Sequence, residues 1–367
     1  MAPDADPLCP CSAHGGAIAG GSWHAHGHAA HGVAADHGCA EKPDAHYPVI
    51  ARGDGMNVQG ARLRGTHPQG AHPQGMVVAI GNFDGVHKGH QQVVAETVRI
   101  AENMNAHPVA LTFEPHPRRF FMPSLPPLRL TTPQQKVSLL KHYGCHDVLV
   151  LPFDDGLAQK TATQFVDDLL LGTLNVRHVV TGADFRFGKA RSGDTALLSS
   201  LLKAKGVQAT VVMPQNDAHG VRYAATHIRQ LLQQGHIDAA NAALGHPFTI
   251  RGLVQHGDAR GRTLGFPTAN VPLDDYVRPM LGVYAVQVHV PSGQTFKGVA
   301  NVGRRPTVGG EDVRLEAHLF NFNQNIYGQL VDVELHHFIR PEMTFASLDA
   351  LTAQIEKDVA AAQQALI

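Results

Sequence analysis

Between residues 76 and 213, short β-rich runs alternate with stretches whose apolar residues recur at helical spacing. The predicted strands are residues 77–81, 108–113, 147–151, 177–182 and 208–213. Strict alternation of strand and helix predicts a parallel sheet with helices on both faces, because parallel neighbours need a long crossover connection. Ligands of such sheets bind beyond the carboxyl ends of the strands.

Capping residues mark the predicted helices. Thr132 followed by Pro133 predicts a helix start, and Gly144 after an apolar periodic stretch predicts its end. Similar helical units are residues 161–172, 192–206, 226–235 and 236–245.

After Pro247 the alternation stops, and apolar runs follow one another as strands. They are residues 248–254, 282–290, 295–302, 314–322 and 331–339. This succession predicts a small antiparallel barrel, so the fold class is α/β plus all-β. Residues 345–366 predict a terminal helix, capped by Ser347, that packs on the barrel. Its predicted apolar face is Leu348, Leu351, Ile355, Val359 and Leu366.

The first 75 residues differ in composition, with nine of the 25 histidines and many Gly and Ala residues but no helical or strand period. Such a segment buries too little apolar surface to fold, so we expect a disordered tail. The alternative is a metal-binding tail, because Cys9, Cys11 and the histidines at 24, 26 and 28 are ligand types; their spacing does not match a closed zinc site. The predicted parts are 1–75, 76–245 and 246–367.

Charge and apolar content exclude several classes of protein. Thirty Lys and Arg against 31 Asp and Glu leave a net charge of −1, which argues against broad attraction to nucleic acid or an anionic membrane. No apolar run of membrane-spanning length and no secretory signal is present. With only four cysteines, the sequence predicts a cytoplasmic protein in a reducing compartment.

The first candidate site lies where the first predicted strand ends. The sequence Gly81-Asn-Phe-Asp-Gly-Val-His-Lys-Gly-His90 leads from glycines into a helix start, where backbone N–H groups favour a phosphate. His87 and His90 would both face that phosphate, and Gly89 between them permits close approach. The alternative is a pair of ordinary surface histidines.

Together with Phe113-Glu-Pro-His-Pro117 and Gly182-Ala-Asp-Phe-Arg-Phe-Gly188, this motif resembles the nucleotidyltransferase superfamily and, within it, bacterial FAD synthetases. The segment from Gly257 to Asn270 is similar to the riboflavin kinase signature. Further matching motifs follow in order: Gly282-Val-Tyr, Gly303-Arg-Arg-Pro-Thr, Glu316-Ala-His-Leu-Phe and Ile326-Tyr-Gly. From about residue 76 to 360 the chain thus resembles the bifunctional riboflavin kinase/FMN adenylyltransferase family. The resemblance implies a Rossmann-like nucleotidyltransferase domain followed by a riboflavin-kinase-like barrel.

For the first half, the resemblance implies that FMN attacks the α-phosphorus of ATP, giving FAD and pyrophosphate. His87 and His90 would stabilise charge on the phosphate oxygens, and Arg229 would hold the leaving phosphates. The residues implied in ATP or phosphate binding are Gly81, Phe83, Asp84, Gly85, Gly89 and Thr226. Those implied in flavin binding or substrate positioning are Phe113, Pro115, His116, Pro117 and Asp184.

For the second half, the resemblance implies phosphorylation of riboflavin by ATP, with Glu316 as the base. Glu316 interrupts an apolar strand, which predicts a cleft-facing carboxylate; the alternative is a rim glutamate paired with Arg304 or Arg314. Thr268 and Asn270, on a turn stiffened by proline, offer hard oxygen ligands suited to Mg²⁺. Glycines that let the backbone approach the phosphates are Gly257, Gly261 and Gly265.

One segment departs from the family pattern. Where the family has Ser-Ser-Thr-x-Ile-Arg, this chain reads Ala224-Ala-Thr226-His-Ile-Arg229. The first hypothesis is a two-step enzyme that makes FMN and then FAD from small-molecule substrates. The alternatives are a riboflavin kinase with a weakened first half, a flavin-sequestering protein, and adenylyl transfer to another phosphate ester. The sequence makes no prediction about protein partners.

Overall fold

The computed structural model describes residues 75–257, 266–307 and 310–367. Residues 1–74 of the predicted tail, and the predicted phosphate-binding residues Gly261 and Gly265, lie outside the described residues.

The first half of the described chain contains a five-stranded parallel sheet, which confirms the prediction. Its strands are β1 (Met76–Ile80), β2 (His107–Glu114), β3 (Asp147–Pro152), β4 (Val176–Gly182) and β5 (Gln208–Val212). Their spatial order is β3-β2-β1-β4-β5, and every neighbouring pair is parallel. From β1 the chain adds β2 and then β3 on one side of the sheet, and it then adds β4 and β5 on the other side. The strand order therefore reverses between β1 and β4, and this position favours a ligand crevice at their carboxyl ends.

Both faces of this sheet are covered. Val78 and Ile80 pack into one core cluster, whereas Val77 and Ala79 pack into another on the opposite face. The helices are α1 (Lys88–Asn103), α2 (Pro117–Phe121), α3 (Pro133–His142), α4 (Asp155–Ala158), α5 (Ala162–Gln164), α6 (Thr195–Lys203), α7 (Ala225–Gln233), α8 (Ile237–Leu244) and α9 (Leu348–Ala365).

Two helix predictions had different outcomes. Thr132 caps α3 as predicted, in a reciprocal capping box with Gln135. The unit predicted at 161–172 is only partly regular, because α5 passes directly into a π-helical segment, Phe165–Thr173.

The second half contains a six-stranded antiparallel sheet, which confirms the predicted barrel class. Its strands are β6 (Phe248–Leu253), β7 (Ala269–Pro272), β8 (Gly282–His289), β9 (Thr295–Thr307), β10 (Gly310–Leu319) and β11 (Leu330–Pro341). They follow the order β6-β11-β8-β9-β10-β7, and a bridge between Gln255 and Asn270 nearly closes the sheet. The predicted turn at 267–270 was wrong at its end, since Ala269 and Asn270 pair with β10 as a strand.

The terminal helix α9 packs on β8, β9 and β11 and is capped by Ser347 as predicted. Its predicted face was wrong at Leu348, which is 67% exposed. Asp358 is buried instead, because Arg340 on β11 binds its carboxylate at 2.6 Å.

Helices α7 and α8 share a core with the barrel. Ile228, Leu232 and Leu244 belong to the same buried cluster as Phe248 and Tyr284. The helix that carries Thr226 and Arg229 is therefore seated on the second half. Within the described ranges, no helix is both long enough and apolar enough to cross a bilayer.

Candidate functional site

His87 and His90 form a stacked pair at the start of α1. Their ring centroids lie 3.6 Å apart with the planes inclined by 20°, and the edge of Phe83 packs on His90 at 5.3 Å. The pair forms because His87 is the N-cap of α1, so His90 falls one turn later on the same side. The Nδ1 atoms of both rings are buried without a hydrogen-bond partner among the described residues. Such atoms are costly to bury, which is typical of a functional site.

Burial sets the protonation state of this pair. It lowers the pKa of His87 from 6.5 to about 4, against the opposing influence of Asp84 and Asp184. Burial also lowers the pKa of His90, and the nearby His87 and Lys136 act in the same direction. Both imidazoles are therefore neutral at pH 7.

A cavity of about 790 Å³ opens beside the pair, at the carboxyl ends of β1, β2 and β4. It brings together most of the predicted residues of the first half. Its lining includes Gly81, Phe83, Asp84, His87, Gly89, His90, Phe113, His116, Pro117, Asp184, Thr226 and Arg229. Gly85 and Pro115 do not line it, and Gly85 instead donates its N–H to Thr131 Oγ1 at 3.0 Å.

Two of the predicted phosphate-binding groups bind each other. Arg229 Nη2 donates to Asp84 Oδ2 at 2.5 Å, and the other carboxylate oxygen accepts from the N–H groups of Leu130 and Thr131 at 3.0 and 3.2 Å. Both side chains of the ion pair are largely buried. The carboxylate of Asp84 thus holds the turn after β1 and orients Arg229 rather than facing an anion.

The cavity lining is rich in cations. Among the described residues it includes five arginines and two aspartates. The arginines are Arg118, Arg186, Arg191, Arg222 and Arg229. Arg222, which the sequence analysis missed, binds Asp184 at 2.8 Å. It lies in an irregular loop with no periodic signal.

Aromatic side chains form an apolar part of the same lining. They include Phe113, Phe121, Phe153, Phe185 and Phe187. Of these five, only Phe113 was predicted as a site residue. Phe153 directly follows the end of β3, just as the predicted residues from Pro115 to Pro117 follow the end of β2. Its position at a strand end could therefore have identified it from the sequence.

Lys136 is a buried cation that the sequence analysis also missed. Its side chain is 3% exposed, and Nζ lies 3.2 Å from Glu114 and 3.2 Å from the carbonyl oxygen of Asn82. Burial lowers its pKa. The helical spacing of α3 gives no sign that Lys136 faces inward.

In the second half, the sheet register brings the predicted kinase residues together. Glu316 on β10 lies directly opposite Asn270 on β7, and Thr268 precedes that strand. A Cβ atom on Gly257 would lie 2.8 Å from Asn270 Oδ1, so a side chain at this position would displace the Asn270 amide. Contrary to the prediction from the sequence, Glu316 does not interrupt an apolar strand. Buried and exposed residues alternate along β10, so Leu315 and Ala317 face inward and Glu316 is exposed on the outer face.

The described donors are compatible with a magnesium ion. The hydroxyl of Thr268, the amide oxygen of Asn270 and the carboxylate of Glu316 are all hard oxygen ligands. Among the described residues, no group of three or more His, Cys, Asp or Glu side chains is arranged to hold a metal ion. The oxygen chemistry of these three groups is compatible with Mg²⁺, which takes oxygen ligands and usually keeps several waters.

Two family models match the chain. The model described as FAD synthetase matches residues 69–226, and the one described as riboflavin kinase matches residues 244–366. A Haemophilus influenzae protein named bifunctional riboflavin kinase/FMN adenylyltransferase is 42% identical over 289 residues, covering 78% of this chain and 92% of the relative. The chain belongs to this bifunctional family. It is an enzyme with the domains for both reactions, and its matches include both halves.

Further members of the bifunctional riboflavin kinase/FMN adenylyltransferase family are similar over the same extent. The Escherichia coli K12 protein is 42% identical over 288 residues, covering 78% of this chain and 92% of the relative. The Bacillus subtilis protein is 39% identical, covering 77% and 90%. A crystal structure described as a macrolide-efflux protein from Streptococcus pneumoniae is 34% identical with a TM-score of 0.71, covering 78% of this chain and 93% of that one.

Proposed function

We propose that FMN is adenylylated in the cavity beyond β1 and β4, and that riboflavin is phosphorylated beside Glu316, Thr268 and Asn270. The observation that carries the first assignment is the stacked pair of His87 and His90 in an arginine-rich cavity. Neutral imidazoles, helix-start N–H groups and guanidinium groups are suited to a polyphosphate.

In the adenylyl transfer, an oxygen of the FMN phosphate attacks the α-phosphorus of ATP. The new P–O bond forms as the bond to the bridging oxygen breaks, and that electron pair leaves with pyrophosphate. His87 and His90 donate hydrogen bonds to phosphate oxygens as their charge grows, which is an electrostatic role without a covalent intermediate. Arg229 holds the leaving phosphates with the N–H groups that Asp84 and Leu128 do not engage.

The aromatic part of the cavity is assigned to the flavin ring. Phe113 and Phe153 meet edge to face at 6.1 Å, and Phe121 packs on Phe153 at 5.6 Å. Such side chains are suited to bind a flat ring system, because aromatic pairs contribute stabilisation beyond that of the apolar area that they bury. Pro117 starts α2 beside them, and His116 caps that helix by accepting from Arg118 N–H.

In the kinase half, Glu316 takes the proton of the ribityl 5′-hydroxyl, whose oxygen then attacks the γ-phosphorus of ATP. The bond between the γ-phosphorus and its bridging oxygen breaks, and that electron pair leaves with ADP. Thr268 and Asn270 would hold Mg²⁺, which supplies neutralisation of the ATP phosphates when bound. Exposure of Glu316 on the outer face of β10 supports access of a substrate hydroxyl.

The first half is still assigned adenylyl transfer, although Ala224 and Ala225 stand where the family pattern has two serines. Ala224 and Ala225 line the cavity at the start of α7, where backbone N–H groups remain available to an anion. The match with the FAD synthetase model over residues 69–226 favours the two-step enzyme over the kinase-only alternative.

The proposal keeps the domain division at residues 76–245 and 246–367. The first family model ends at residue 226 and the second begins at residue 244, which supports a boundary in this part of the chain. It also keeps a cytoplasmic location, where ATP is supplied, and small-molecule substrates as partners.

The test is to incubate the full chain with riboflavin, ATP and Mg²⁺ and to separate the flavins over time. We expect FMN and then FAD. Glu316→Gln should slow FMN formation by about 10²- to 10⁴-fold and spare the conversion of FMN to FAD. His90→Ala should do the reverse. Glu356→Gln, on the exposed side of α9, is the matched control and should change neither step. Equal damage to both steps in either variant would contradict two separate sites.

A further inference from the structure

The segment from Leu128 to Thr131 contacts three elements of the adenylyltransferase cavity. Its backbone N–H groups at Leu130 and Thr131 bind Asp84 after β1. The carbonyl oxygen of Leu128 accepts from Arg229 Nε of α7 at 2.5 Å. The third contact, made by the side chain of Arg129, has no part in the roles assigned so far.

Arg129 holds the end of β2. Its Nη1 and Nη2 lie 3.1 and 3.4 Å from the two carboxylate oxygens of Glu114, the last residue of β2. Lys136 Nζ lies 3.2 Å from the same carboxylate. Glu114 is thus held between two cations, and the chain continues from it through Pro115 to His116 and Pro117 in the cavity lining.

The backbone of Arg129 is fixed by the kinase half. Its N–H donates to the carbonyl oxygen of Asp275 at 3.0 Å, and its carbonyl oxygen accepts from Val277 N–H at 2.9 Å. The side chain is 22% exposed and extends from this pairing toward Glu114. The backbone of Arg129 is therefore held in place, and its guanidinium contacts the Glu114 carboxylate.

We propose that Arg129 is a positioning residue of the adenylyl transfer, which through its two-point grip on Glu114 sets where His116 and Pro117 enter the cavity. The inference rests on the proposed role of that cavity. A bidentate grip fixes both distance and plane, which a single contact does not. A displacement of about 1 Å in a substrate-positioning element can cost about 10²-fold in rate.

The test uses the full chain carrying Arg129→Met, Arg129→Lys or Glu114→Gln, assayed separately for FMN adenylylation and riboflavin phosphorylation. Arg129→Met should lower kcat for adenylylation by about 10- to 100-fold and change KM for ATP and FMN by less than about threefold. Arg129→Lys keeps a cation beside Glu114 without the fork, so its kcat should fall between those of wild type and Arg129→Met. Glu114→Gln should match Arg129→Met.

Riboflavin phosphorylation in the same preparations reports folding and should stay within about twofold of wild type. Arg99→Met is the matched control, because the contact of Arg99 is with Glu96 of its own helix, and this variant should change neither activity. The inference is overturned if adenylylation survives in both Arg129→Met and Glu114→Gln, if KM rises with kcat unchanged, or if both activities fall together in a variant that keeps the wild-type Tm. If Arg129→Met does not fold, Glu114→Gln decides. A wild-type chain that makes FMN but no FAD would overturn the proposed function itself.

Discussion

The hydroxyl of Tyr276, in the barrel half, donates a hydrogen bond to Gln135 Oε1, in the first half, at 2.5 Å. Gln135 also donates through Nε2 to the carbonyl oxygen of Thr249 at 3.1 Å. The same side chain completes the capping box of α3 with Thr132. One buried amide therefore joins the start of a helix in the first half to two segments of the second.

Tyr276→Phe should destabilise the folded chain. It removes a buried hydroxyl that also accepts from Arg251 N–H, and an unsatisfied buried partner costs about 1–3 kcal/mol. Thermal unfolding should show a lower Tm with one transition. An unchanged Tm would mean that Gln135 finds another donor without loss.

Asp84→Asn should be more damaging than Asp184→Asn. The first leaves Arg229 without its buried carboxylate, and breaking such a pair costs about 3–5 kcal/mol. Asp184 is 71% exposed and pairs with an exposed Arg222, so its loss should cost about 1 kcal/mol or less. Denaturant titration of both variants measures the difference, and equal losses would contradict the assigned role of Asp84.

Stability should fall as the pH drops from about 6.5 towards 4. The folded pKa of His87 is about 4, so below pH 6.5 the unfolded chain binds a proton that the folded chain does not. Each such histidine contributes a slope of up to about 1.4 kcal/mol per pH unit in this window. Unfolding free energies at pH 7, 6 and 5 should therefore decline, and His87→Asn should reduce the slope. An identical slope in wild type and variant would contradict the buried neutral state of His87.

Ala224→Ser should raise both helix stability and the rate of FAD formation. Ala224 is the N-cap of α7, has an extended backbone and provides no side-chain acceptor. Serine there accepts from an N–H of the first turn, which stabilises by about 0.5–2 kcal/mol. Tm and the FMN-to-FAD rate are the measurements. Ala225→Ser, one residue inside the helix, should not raise Tm, and riboflavin phosphorylation should stay constant in both.

The order of strands and helices could be read from the sequence because each element carries a local signal. Thr132 and Ser347 were identified as caps for this reason, and both act as caps. Strand β7 was missed because the prolines around it are typical of a turn. Only its pairing with β10, a contact distant in sequence, makes residues 269–272 a strand.

The sequence could predict which residues lie at strand ends, beside the cavity, whereas ion pairs between distant segments were not predictable. His87, His90 and Phe113 line the cavity near the carboxyl ends of β1 and β2, where parallel sheets bind ligands. The pairing of Asp84 with Arg229 joins residues 145 positions apart, and periodicity cannot reveal such a contact. The burial of Lys136 is hidden for the same reason, because its charged end is accommodated by Glu114, Thr112 and Asn82 from other elements.

The seating of α7 on the barrel limits how the enzyme can be dissected. A fragment ending at residue 226 would lack Arg229. One ending at residue 245 would keep Arg229 but would expose the apolar side chains of Ile228, Leu232 and Leu244 to water. Producing the adenylylating half alone would therefore require replacing these three residues with polar ones.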